Sequence, residues 1–119
     1  MNSKIDSSCF EPERPEPRNR AIEIISSTRM EYDWLKNHLN PDESINLICT
    51  VGGRDYDVVL IDSPKIDVVQ IQATTEGGLV CVVSPVEQVC FTTIISKKVN
   101  DDPPREIGFH TTMKRTEKE

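Results

Sequence analysis

Four carboxylates crowd one stretch of the chain: Asp55, Asp57, Asp62 and Asp67. Such a set could hold a hard divalent cation or work as an acid–base pair. Their positions fall at the ends of β-like runs and in turns, where Asp ordinarily bonds the local backbone and faces water. The four cysteines are Cys9, Cys49, Cys81 and Cys90, and no two have the C-x-x-C spacing of a zinc or redox site. Cys49, Cys81 and Cys90 each lie in an apolar run, which predicts small buried hydrophobes rather than reactive thiols. Cys90 as a nucleophile would need a neighbouring base. His38 and His110 are the only histidines, and His110 stands in the C-terminal tail. Lys97-Lys98 is a dipeptide, too small for a basic patch. The residue types therefore predict no catalytic group, no metal ligand and no cofactor, and the chain is read as a non-enzyme.

The elements around these residues must fit into 119 residues, which is one domain at most. Only six residues are aromatic, so Val, Ile and Leu must build the core, and these concentrate between Ile45 and Val99. A core of about 60 residues is marginal by itself, and self-association is a common remedy. The net charge of −6 repels phosphate backbones and disfavours a general nucleic-acid binder. Met1 to Arg20 carries no apolar segment of a signal peptide, and no run approaches a membrane span. With unpaired thiols, this pattern predicts a small cytoplasmic protein with no membrane contact.

Residues 1–20 hold Pro12, Pro15 and Pro17 among Glu and Arg and predict a flexible, extended arm; Pro12 to Pro15 fits P-x-x-P as a spacer. Ala21 to Ser27 is a short apolar run of either type. Thr28 to Leu39 predicts a helix with Thr28 as N-cap and Glu31 completing a capping box. Met30, Trp34, Leu35 and Leu39 share its apolar face, with Trp34 packing the helix onto the sheet and His38 near its C-terminus. Tyr32 and Trp34 could alternatively anchor a partner. From Ser44 the apolar period becomes two. Turn signals at Gly52-Gly53, Ser63-Pro64, Gly77-Gly78 and Ser84-Pro85 delimit strands near 45–51, 56–62, 67–74, 79–83 and 87–96. A single β-rich domain over 21–100 follows, then a charged tail, 101–119, with one apolar spot at Ile107 to Phe109.

Two local resemblances bear on this reading. YDVVLIDSP, from Tyr56 to Pro64, followed by GLVCVVSP, resembles the Walker B strand and its successor in the ParA/MinD partition ATPases and bacterial tyrosine kinases. That resemblance implies a degenerate α/β domain, ParA-like or receiver-like, with Asp62 at the Mg²⁺ position. No G-x-x-x-x-G-K-[ST] loop accompanies it, so no nucleotide turnover is expected. The stretch VQIQATTEGGLVCVVSPVEQVCFTTIIS resembles the Sm-like fold and, within it, the RNA chaperone Hfq, with 45–51 as an extra strand before the barrel. This resemblance implies an RNA-binding ring in which Gln88 and Phe91 line the uridine rim. Thr92-Thr93 stands where that family carries Lys-His. Between Ile45 and Val99 four cations face six carboxylates, a net −2, which is poor for RNA.

The fold expected is α+β and mainly β: an N-terminal helix, then a small antiparallel five-stranded barrel or sheet in SH3-like or Sm-like style. Its expected role is a non-catalytic interaction or regulatory module, binding an unidentified protein and itself as a homo-oligomer. Val86 to Ile95 is the candidate edge, with Val89, Phe91 and Ile94 at the contact. Residues 65–76 decide between the β and α/β readings.

Overall fold

The side chain of Asn19 starts the first element: its Oδ1 accepts from the N–H groups of Ala21 (3.1 Å) and Ile22 (3.3 Å). An N-cap of this kind satisfies donors that the first turn cannot pair internally. Helix α1 then runs over Arg20–Asn37 and ends at His38, whose N–H bonds Leu35 O at 3.0 Å. The computed structural model describes residues 17–99 and 106–110. The expected N-cap, Thr28, is instead inside the helix, where its hydroxyl donates back to Ile24 O at 2.7 Å. The ambiguous run Ala21 to Ser27 is helical because the cap lies before it.

Starting the helix at Arg20 changes which face is buried. Ala21, Ile25 and Tyr32 are buried, and Leu35 and Leu39 pack against the same cluster. These positions form one stripe at helical spacing, and Met30 and Trp34 lie far round the helix from it. Met30 is 73% and Trp34 58% exposed, so Trp34 does not pack the helix onto the sheet as its size suggested.

Five strands follow: β1 (Glu43–Val51), β2 (Arg54–Lys65), β3 (Val68–Thr75), β4 (Gly78–Pro85) and, after a 3-10 turn at Val86–Gln88, β5 (Val89–Lys97). The stretch 65–76, where an α/β reading needs a helix, is the turn into β3 and β3 itself. β1 to β4 form an antiparallel meander, and β5 returns to pair antiparallel with β1, giving the order β4-β3-β2-β1-β5. Gly52 (φ 60°) and Gly53 (φ 81°) make the two-residue β1–β2 hairpin, whose twist requires positive φ at both positions.

β2 is the long central strand and is bent by register shifts after Val58 and after Asp62. Its first part pairs with β1 from Arg54 to Asp57, while the first part of β1, Glu43 to Leu47, pairs with β5 alone. The backbone that β1 leaves open on β2 is taken by a sixth strand, β6 (Gly108–Phe109), parallel to Leu60 and Ile61. His110 N–H adds a bond to Ile61 O at 2.9 Å, and the Phe109 ring meets Tyr32 at 5.8 Å between centroids. Residues 106–110, expected within the tail, are therefore part of the domain. The expectations for residues 1–16, including Cys9 and the P-x-x-P, and for 100–105 and 111–119 lie outside the described residues.

The core lies between α1 and one sheet face. Ile45, Leu47, Cys49, Val58, Ile61, Val69 and Ile71 are buried there with the helix stripe. Cross-strand pairs such as Cys49 with Phe91 and Ile71 with Val82 keep the register of that face. The sheet is mostly antiparallel and open: β4 and β5 are its two ends. No helix among the described residues is long and apolar enough to cross a membrane.

Denaturation by urea should separate the core from the exposed face of α1. Leu47→Ala is expected to cost about 2–5 kcal/mol and Asn19→Ala about 1 kcal/mol. Trp34→Ala should stay within about 0.5 kcal/mol. A Trp34→Ala cost equal to that of Leu47→Ala would place the indole in the core.

Candidate interaction site

Two strands present unpaired backbone. β4 pairs only with β3, in an unbroken register from Thr75 opposite Gly78 to Val68 opposite Pro85. β5 pairs only with β1, unbroken from Val51 opposite Val89 to Glu43 opposite Lys97. Each has its other edge open among the described residues, with N–H and C=O groups that a further strand could take. Natural sheets guard such edges with charges, bulges or inward lysines. β4 has no charged residue, and β5 has one, Lys97 at its last position, held by Asp42 at 2.6 Å.

The side chains on these edges divide by parity. On β5, Val89 and Phe91 turn toward α1 and are half-buried, whereas Cys90, Thr92 and Ile94 face away and are exposed, Ile94 by 44%. The three residues expected at an oligomer contact are thus all on the edge strand but not on one face. On β4, Leu79 (61%) and Val83 (60%) flank Cys81 on the face away from the helix. Cys81 and Cys90 are exposed, contrary to the expectation of burial, because the outer sheet face has no covering layer among the described residues. Cys49 is buried, and burial pushes its thiol up to about 12. The β4 edge was not anticipated. GLVCVVSP is apolar at both parities, a pattern that reads as a strand buried on both faces.

The edges meet at one corner. Only Val86–Gln88 separate β4 from β5, so the sheet must curl until its two ends approach there. A polar clamp holds this corner. Asp67, with φ 62° in the β2–β3 turn, accepts from Arg20 N–H at 2.8 Å and from the Arg20 guanidinium at 3.0 Å. In return Asn19 Oδ1 accepts Asp67 N–H at 3.0 Å. Arg20 also binds Glu87 in the 3-10 turn, and Val86 N–H donates to Asp67 O at 2.9 Å. The Arg20 guanidinium holds both the Asp67 and the Glu87 carboxyl below their ordinary range, and they in turn raise its own pKa. In the sequence Asn19 and Arg20 belong to the N-terminal arm, and only the fold brings Asp67 to them.

The other sequence candidates stay apart. Gln88 is exposed in the 3-10 turn, while the Phe91 ring is half-buried against the core. The guanidinium nearest this corner, Arg20, already serves two carboxylates. Asp62 is not in a turn but inside β2 and is buried; its Oδ1 accepts Ser63 N–H at 2.7 Å. Asp55 accepts from the Thr50 hydroxyl at 2.6 Å across the first hairpin. No group of His, Cys, Asp and Glu among the described residues is arranged to hold a metal ion. Comparison of the chain with family models, with characterised proteins and with solved structures gives no match.

Two measurements follow from this chemistry. The carboxylates of the clamp have lowered native pKa values, so their contribution is full above the ordinary values of 3.8 and 4.5 and is lost as pH falls through the native ones. Thermal stability should drop on acidification below that range, and Asp67→Asn with Glu87→Gln should flatten the drop. An unchanged acid limb in the double variant would remove the clamp as its source. With a thiol reagent near pH 8, Cys81 and Cys90 should react in the native protein and Cys49 only on unfolding.

Proposed function

We propose that the protein is a non-catalytic interaction module that associates with itself through the open edges of its sheet. The observation that carries this reading is the pair of edge strands, β4 and β5, which carry one charged residue between them, Lys97, on a sheet whose core is backed by α1. Adding a strand across such an edge satisfies backbone groups and buries apolar area that a small core lacks. Edge pairing of β5 with β5 gives a two-fold dimer, and pairing of one end with the other gives a ring if the rotation closes.

The same architecture supports the finer reading of a small barrel in Sm-like or SH3-like style. An N-terminal helix, a four-strand meander, a 3-10 turn and a last strand returning to the first are the features in its favour. RNA binding, which the Hfq resemblance implies through Gln88 and Phe91, is the weaker reading. The clamp at that corner carries one guanidinium against two carboxylates, and nucleic acid needs cations to release counterions.

Light scattering at micromolar concentration tests the proposal. The expected mass is a multiple of the 13.5 kDa chain. Ile94→Lys on β5 and Val83→Lys on β4 replace exposed side chains and should leave the fold intact. Dissociation by Ile94→Lys alone indicates the β5 dimer, and dissociation by either indicates the end-to-end assembly. A monomer mass for the unaltered chain would overturn self-association.

A further inference from the structure

The exposed face of α1 is built differently from an ordinary solvated helix face. Met30 and Trp34, one turn apart, are its large apolar residues, 73% and 58% exposed. With Ser27 and Glu31 they line a concavity of about 310 Å³. Ser27 also borders a second concavity, of about 360 Å³, lined mainly by the charged residues Arg18, Arg20, Glu23 and Glu87.

The Trp34 ring is ordered beside the first concavity. His38, one turn further on, stacks on the indole with centroids 4.0 Å apart and planes 17° from parallel. His38 Nδ1 also bonds Trp34 O at 2.7 Å, which fixes the imidazole. Ser27, Met30 and Glu31 precede Trp34 by one or two turns and share a concavity with it, whereas His38 follows it by one turn. Glu31 stands three residues before Trp34, a neighbouring position on a helix surface.

The charges nearby are already matched, with one exception. Arg29 pairs with Asp33, Arg18 with Glu23, and Arg20 with Asp67 and Glu87. Glu31 has no cation bonded to it among the described residues. A carboxylate beside an open indole face, on a chain of net charge −6, complements one ligand chemistry well. A guanidinium can lie flat on the electron-rich indole while its N–H edge donates to a carboxylate. A ring ordered before binding reduces the entropy lost on contact.

We infer that the Glu31–Trp34 face of α1 docks an arginine-bearing segment of a partner protein, the guanidinium resting on Trp34 and bonding Glu31. Met30 takes the apolar part of the residue beside that arginine. The Glu31–Trp34 face lies on α1 and not on the edge strands β4 and β5.

Trp34 is the only tryptophan, so the full-length chain carries its own reporter. The probe is the peptide acetyl-Gly-Arg-Arg-Gly-amide, followed by Trp34 emission and by amide chemical shifts. The expected result is a saturable emission change, with the largest shifts between Ser27 and His38. Glu31→Gln should weaken the response about fivefold, the scale of one cation–π or ion-pair contact. Glu76→Gln, at the exposed β3–β4 turn, should change it less than about twofold. No saturation up to about 10 mM peptide would overturn the proposal. Equal weakening by Glu31→Gln and Glu76→Gln would also overturn it, as generic charge attraction. A Trp34 emission that depends on protein concentration without peptide would assign the face to a second copy instead.

Discussion

The structure depends on the contact between the start of the helix and the β2–β3 turn. Asn19 and Asp67 cap one another: each side-chain oxygen takes a backbone N–H from the other's segment. Arg20 extends the exchange to Glu87, so three elements distant in sequence share one polar cluster. Asp67 can serve because Asp tolerates the left-handed backbone better than most residues. The ion pairs are partly exposed and weaken with salt. The backbone bonds are what fix geometry: they set where α1 begins, and therefore which of its faces meets the sheet.

Among the described residues, that geometry leaves the sheet covered on one side only. α1 backs the inner face, and β6 extends the sheet beside β2 so that Phe109 meets Tyr32. The outer face keeps Leu79, Val83 and Ile94 in water, together with two thiols. Both ends of the sheet are open, and the short 3-10 connection brings them near one another at a single corner.

The helix shows how one cap redirects a surface. Had the first turn begun at Thr28, Met30 and Trp34 would be natural core residues. Beginning at Arg20 adds Ala21 and Ile25 to the apolar stripe and aligns them with Tyr32, Leu35 and Leu39. The largest side chain of the protein then stands outside, stacked on His38.

The strands of the sheet are legible in the sequence. Alternation at Ile45 to Val51 and at Val69 to Ala73, with Gly52-Gly53 and Gly77-Gly78 between strands, is a local property of side-chain direction and backbone freedom. It also showed that no phosphate loop and no zinc spacing is present. What it left undetermined required contacts between distant residues. Asn19 and Arg20 look like part of a polar arm until Asp67 arrives beside them. Gly108 and Phe109 look like tail until β1 diverges and leaves the β2 backbone to be paired. GLVCVVSP and the run around Cys90 look buried because apolarity at both parities marks a strand with two covered faces. It takes the folded sheet to show that no described element covers the second face and that both strands lie at its ends. Periodicity reports which residues share a face, whereas what that face meets depends on elements far away in the chain.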